Sequence, residues 1–204
     1  MRDIVMVVGS GMMGSGIGAM SALAGNKTVL VDTSAERAEN GRKKAIECIR
    51  LREENELNTH EEAEKAIELL STSDDSIKTA ENARLVIEAI IENVEAKQNL
   101  FAQLDAVLPV EVPICSNTSG LRITDISAKC VHPERTVTGT VRCIGGLAPV
   151  VSVRTEGEVP KEKVFDVAHA LNTALAHLPI AAGDVVIPDV CGTGVNVIAT
   201  KSAK

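Results

Sequence analysis

At 204 residues, with 45% hydrophobic and 24% charged residues, the chain has the composition of an ordinary soluble globular protein. It has room for one large domain, or for one domain and a fragment of another. A net charge of −7 argues against nucleic acid or an anionic membrane as partner. No apolar run reaches the length of a membrane span. Met1-Arg2-Asp3 leads at once into a predicted strand, so no signal peptide is expected before the fold.

The five cysteines (Cys48, Cys115, Cys130, Cys143, Cys191) show neither CxxC nor Cys/His metal spacing, which points to reduced thiols in a cytoplasm and to no metal site. There is no Trp or Tyr, and only Phe101 and Phe165 are aromatic. The core must therefore be aliphatic, and an adenine pocket would be walled by Val, Ile and Ala.

In chain order, an apolar run from Ile4 to Val8 meets Gly9-Ser10-Gly11-Met12-Met13-Gly14. A helix pattern of small residues follows, then a second apolar run ending in Asp32. Strand, glycine turn, helix, strand and acid are the parts that dinucleotide binding requires. Gly9 permits the tight turn, Gly11 lets a pyrophosphate approach the backbone, and Gly14 lets the helix pack close to the strand. The helix start, at Met12 and Met13, offers free N–H groups and partial positive charge to phosphates. A carboxylate at Asp32 accepts hydrogen bonds from ribose hydroxyls and repels a 2′-phosphate. The nearest cation is Arg37, and no basic residue directly follows the strand. NAD is favoured over NADP.

Residues 34–54 read as a helix with a charged, solvated face. Thr59-His60-Glu61-Glu62 fits a capping box and opens a helix to about Leu70, with His60 at the surface. Arg84 to Ile91 is a continuous apolar strand of the kind parallel sheets bury. A helix over Glu95–Leu108 follows, then a short strand over Val112–Ser116 and a helical stretch over Ile123–Cys130. Strands are expected over Arg135–Val141 and Pro149–Val153, a helix from Pro160 to about Leu178, a strand over Asp184–Ile187, and the start of a helix from Asn196. Alternating strands and helices imply an α/β, Rossmann-type, doubly wound and mostly parallel sheet.

Three further blocks carry a family resemblance. They are Val86-Ile-Glu-Ala-Ile-Ile-Glu92-Asn-Val-Glu-Ala-Lys97 with Leu100-Phe101, Ser116-Asn117-Thr118-Ser119-Gly120-Leu121 with Ile123-Thr124, and His132-Pro133-Glu134-Arg135 leading to Gly139. Together with the glycine turn, they make the chain resemble the NAD-binding domain of the L-3-hydroxyacyl-CoA dehydrogenases, which include 3-hydroxybutyryl-CoA dehydrogenases. The resemblance implies that Glu92 and Lys97 lie near the nicotinamide ribose and phosphates, and that Asn117 lies near the nicotinamide end. It implies that Ser119 contacts the substrate hydroxyl and that Asn196 is the substrate-side asparagine. The activity implied is hydride transfer between NAD and the C3 hydroxyl of a hydroxyacyl-CoA, in fatty acid metabolism.

Two departures qualify that expectation. The family carries a histidine just after the strand, as general base, oriented by a glutamate. Here Val141 stands at the histidine and Ser152 at the glutamate, allowing one deletion. His132 reads as a surface-loop residue, and His169 and His177 as surface or helix-end residues. Cys143 and Arg142 have only their position to recommend them. The second departure is length, since the family continues with a helical domain that builds the dimer interface and half of the acyl-CoA cleft. The expectation is a Rossmann domain over residues 1–190, a stub over 191–204, and an apolar face that favours a homo-oligomer or a partner chain. Three readings follow: an impaired 3-hydroxyacyl-CoA dehydrogenase, a non-catalytic NAD(H)-binding module, or an enzyme whose substrate needs no base at residue 141.

Overall fold

The structure is a computed structural model that describes residues 2–144, 148–154, 186–188 and 195–199, with side chains as far as Thr138. Its sheet contains β1 (Ile4–Val8), β2 (Lys27–Val31), β3 (Leu70–Ser73), β4 (Ala83–Glu88), β5 (Ile114–Ser116) and β6 (Thr136–Ile144). These six run parallel in the order β3-β2-β1-β4-β5-β6. The chain winds outward from β1 to one edge, returns to β4 beside β1, and winds outward again. That reversal is the doubly wound topology expected, and it opens a crevice at the carboxyl ends of β1 and β4.

The strand β1 is continuously apolar because both of its faces are covered. Along β1 the side chains alternate, with Val5 and Val7 entering one core and Met6 and Val8 the other. The first core is closed by α1 (Met12–Leu23), α2 (Ala35–Glu54) and α3 (His60–Glu68). The second is closed by α4 (Ser76–Ala80), α5 (Val94–Val107) and α6 (Ile123–Ile126). Full burial of one such aliphatic side chain contributes roughly 1.5–3 kcal/mol. The capping box at Thr59 and Glu62 forms as expected, and exposed His60 sits 2.7 Å from Glu53.

The sheet continues beyond β6. The strands β7 (Ala148–Arg154), β8 (Val186–Pro188) and β9 (Val195–Ala199) extend it antiparallel in the order β6-β7-β9-β8. The helix expected from Asn196 is therefore a correction: residues 195–199 form a strand, in keeping with the β-branched Val195, Val197 and Ile198. The helical stretch over Ile123–Cys130 is also shorter than expected, since α6 ends at Ile126 and Ser127 to Cys130 form a turn. Sequence reading missed β3 and α4, whose LSTS and SIKTA segments are too short to show a period. The helix expected from Pro160 to Leu178, with His169 and His177, lies outside the described residues, as do Gly145, Gly146 and Cys191 to Gly194.

One buried ion pair fixes the loop that enters β6. Asp105 on α5 and Arg135, both under 6% exposed, meet at 2.8 Å between Oδ1 and Nη2. Asp105 Oδ2 accepts from the backbone N–H groups of Val131 and His132, while Arg135 donates to the carbonyls of Asp105, Leu108 and Pro109. Removing one partner leaves the other charge buried without compensation, which costs about 3–5 kcal/mol. Arg135→Ala is accordingly expected to lower the urea midpoint by that amount of stability, with Glu134→Ala on the same loop nearly silent; equal small effects from both would refute this role for the pair.

Candidate active site: a dinucleotide crevice

The crevice is built around the turn from β1 to α1. Gly9 sits at φ +92°, and a Cβ there would lie 2.6 Å from the carbonyl oxygen of Ala89. At Gly14 a Cβ would lie 1.7 Å from the carbonyl oxygen of Gly9, so only glycine lets α1 start this close to the strand. Gly11 is different. It caps α1, and a Cβ there meets nothing within 4 Å. Its lack of a side chain serves nothing inside the protein and leaves the helix N-terminus open. The first turn of α1 carries no acidic residue, and Met12 is 86% exposed. An anion is thus met by free N–H groups and the positive end of the helix.

Asp32 stands at the end of β2, on one flank of this turn. Its Oδ2 accepts from Ser10 N at 2.9 Å and Ser10 Oγ at 2.8 Å, and its Oδ1 accepts from Thr33 N at 2.8 Å. Partial burial works to raise its carboxyl pKa. The hydrogen bonds from Ser10 and Thr33 and the Arg37 charge prevail and hold it below the ordinary value. Arg37 Nε lies 3.7 Å from Asp32 Oδ1, so the nearest cation is engaged by the acid it follows. Beside Asp32 is a cavity of about 400 Å³, with Val8, Val31, Ile90 and Leu100 as apolar walls and Asp74 and Ser76 at its rim. This is the aliphatic pocket expected of a chain without Trp or Tyr, and it suits a flat purine. Asp74 and Ser76 come from the missed β3–α4 connection.

The other flank is the carboxyl end of β4 and β5. Glu92 is half exposed, and its Oε1 accepts from Thr118 Oγ1 while Lys97 Nζ stands 3.3 Å from its Oε2. Burial again works to raise the carboxyl pKa, and the bond from Thr118 and the charge of Lys97 hold it down. Lys97 itself is 1% exposed and also bonds Glu88 Oε1. Glu88 is fully buried and takes further bonds from Ile90 N at 2.8 Å and Ser116 Oγ at 2.5 Å. Glu88 and Thr118 were not singled out from sequence, although both lie inside the blocks that carry the family resemblance. A glutamate closing an apolar strand is the signal that was available.

Asn117 follows β5, and its Oδ1 is buried with no hydrogen-bond partner among the described residues. Ser119 is exposed in the loop that Thr118 ties down through the N–H groups of Gly120 and Leu121. The glycine turn, Asp32, Glu92, Asn117 and Ser119 all gather at the same edge of the sheet. Asn196 does not join them directly. It lies in β9, paired with Arg154 and Ile187, with β6 and β7 between it and β5. At about 4.8 Å per strand, that is on the order of 14 Å. His132 precedes β6 and so lies at the opposite edge. Within the β6–β7 ladder Val141 is opposite Val151, whereas Ser152 is opposite Thr140.

A doubly wound sheet with this turn, this acid and this pocket defines an NAD-binding oxidoreductase domain. Residues 4–185 match the family described as 3-hydroxyacyl-CoA dehydrogenase, NAD binding domain, and the chain belongs to that family. It is 38% identical over 170 residues to a probable 3-hydroxybutyryl-CoA dehydrogenase of Bacillus subtilis, covering 83% of this chain and 54% of the relative. It is 32% identical over 136 residues to the human mitochondrial hydroxyacyl-coenzyme A dehydrogenase, covering 64% of this chain and 43% of the relative. The crystal structure of 3-hydroxybutyryl-CoA dehydrogenase from Escherichia coli K12 superposes with a TM-score of 0.64 at 35% identity, over 69% of this chain and 30% of that one. The chain thus spans about half the length of its relatives, or less. The residues present fit NAD: the space over Gly11 admits the pyrophosphate, Asp32 the adenosine ribose, and the cavity the adenine. Among the described residues, no helix is long and apolar enough to cross a membrane and no cluster of ligands could hold a metal ion.

Two outcomes test this crevice. Gly11→Val should leave the thermal midpoint within a few degrees yet weaken NADH at least about tenfold, because the new side chain projects only into ligand space. Gly14→Ala should lower the midpoint itself. Loss of stability in both, with NADH binding intact in Gly11→Val, is the result that contradicts it. Separately, Asp32→Asn should narrow the preference for NADH over NADPH by about tenfold or more in a fluorescence titration, by removing the charge that opposes a 2′-phosphate.

Proposed function

We propose that this chain is the cofactor-holding part of an NAD-dependent 3-hydroxyacyl-CoA dehydrogenase and is, by itself, a poor catalyst. Bound NAD supplies the hydride acceptor for the C3 hydroxyl of a hydroxyacyl-CoA. The N-terminus of α1 holds its pyrophosphate, Asp32 its adenosine ribose, and Glu92 and Asn117 flank its nicotinamide half. Ser119 orients the substrate hydroxyl, and Asn196 assists once the distance from β9 is closed by the rest of the acyl-CoA cleft. Lys97 acts from behind Glu92. We place the protein in the cytoplasm, a reading supported by five cysteines scattered without CxxC or Cys/His spacing.

The single observation behind the impairment is Val141. A valine takes no proton, and neither described histidine lies at the crevice. Absence of a general base slows such a reaction by about 10²–10⁴. A second reading, a non-catalytic NAD(H)-binding module or subunit working with a second copy or a partner chain, is favoured by the same residue beside an intact cofactor half. Our domain division, residues 1–190 with 191–204 leading out of them, has to leave the pairing of β9 with β7 intact.

The test is turnover of 3-hydroxybutyryl-CoA with NAD⁺ by the purified chain. The expected rate is at least about 100-fold below that of a relative that carries the histidine. Val141→His should raise it, and a glutamate is best tried at both 151 and 152, since the ladder sets Val151 opposite Val141. Vigorous turnover by the unaltered chain refutes the impairment. NADH binding without turnover in every variant favours the module.

A further inference from the structure

The buried ionic cluster beneath Glu92 is larger than cofactor holding requires. Glu88 and Lys97 are both almost wholly inaccessible, and Lys97 is held between two carboxylates. With 1% of its side chain exposed, Lys97 acts chiefly by positioning Glu92. Thr118 holds the other oxygen of Glu92 from the loop after β5, so the carboxylate is fixed from both sides while remaining half exposed. Two carboxylates and one ammonium leave the cluster with a single net negative charge, and the accessible part of it is Glu92.

The position of that charge follows from the sheet. Asp32 and the adenine-sized cavity occupy the β2 flank of the glycine turn, and the N-terminus of α1 occupies its centre. In a sheet of this strand order the dinucleotide crosses the switch point, so its second half lies over the ends of β4 and β5. Glu92 stands there. NAD⁺ and NADH differ by one positive charge, carried on the nicotinamide ring. A fixed carboxylate near that ring attracts the oxidised form and not the reduced one.

We propose that Glu92, clamped by Lys97 and Thr118 and anchored through Glu88, biases this site toward NAD⁺ over NADH and so lowers the reduction potential of the bound cofactor. The proposal rests on the NAD reading of the crevice. One charge at several ångströms in a partly screened site is worth on the order of tenfold in relative affinity. For a two-electron couple, tenfold corresponds to about 30 mV.

Dissociation constants for NAD⁺ and NADH, each titrated against the full chain by calorimetry, test this without any turnover. Glu92→Gln should weaken NAD⁺ about tenfold relative to NADH, whereas Glu92→Asp should keep the ratio within about twofold of the wild type. The double variant Glu88→Gln with Lys97→Met removes a neutral pair and leaves the net charge unchanged. It should loosen Glu92, weakening both forms and moving their ratio part of the way toward that of Glu92→Gln. If Glu92→Gln weakens both forms equally, or neither, the charge bias is overturned. If the double variant leaves the ratio at the wild-type value, the positioning role of Lys97 is overturned. Failure of the wild type to bind either form at millimolar concentration overturns the NAD reading instead.

Discussion

The approach of Gly14 to the carbonyl of Gly9 is the constraint on which the rest of the site depends. With 1.7 Å between that oxygen and the place of a Cβ, the start of α1 is held against the end of β1 by backbone alone. This contact aims the helix N-terminus across the crevice and brings Ser10 within reach of Asp32. Ser10, itself buried, donates both its N–H and its hydroxyl to one carboxylate oxygen. Asp32 is thereby fixed relative to the helix before any ribose arrives. Its other oxygen takes one N–H from Thr33 and keeps accepting capacity for a ligand. The turn and the acid are two ends of one braced unit, not two separate binding features.

The two flanks of the crevice place negative charge by different means. Asp32 is held by neutral donors and is countered only distantly by Arg37. Glu92 is held by a buried cation that is itself neutralised by a second, deeper carboxylate. A single Glu92–Lys97 pair would present the ligand with no net charge. The addition of Glu88 restores one negative charge while keeping Lys97 immobile. Burying Glu88 and Lys97 is expensive unless each is hydrogen-bonded as well as paired. The bonds from Ile90, Ser116 and Lys97 to Glu88 meet that condition.

Much of this was legible in the sequence, and for a common reason. Gly9, Gly14, Asp32 and the apolar runs before them act through backbone shape and strand ends, which periodicity and glycine spacing report directly. Glu92 and Lys97 stood out only through the family resemblance, and the structure pairs them at 3.3 Å. That Lys97 is buried was not legible, because its depth depends on Glu88 from β4, and a lone glutamate at the end of an apolar run looks the same whether it is solvated or sealed. Thr118 was hidden in the same way: in Ser116 to Gly120 the exposed Ser119 drew attention, while the hydroxyl that ties the loop to Glu92 is the buried one beside it. The short segments β3 and α4 fell below any period. The segment from Asn196, expected to begin a helix, forms a strand over 195–199, where its β-branched residues decide the outcome.

The separation of cofactor holding from proton chemistry is built into this topology. Most of the described groups at the crevice come from β1, β2, β4 or β5 and the loops directly after them, joined by Asp74 and Ser76 after β3 and by Leu100 of α5. The residue that would carry the base lies on β6, whose far side is paired to an antiparallel extension and not to another wound unit. Val141 lies three residues past Thr138, the last residue of β6 paired with β5. The bonds that brace Asp32 and Glu92 run within β1, β2, β4, β5 and the segments that follow them, and none of these bonds passes through β6.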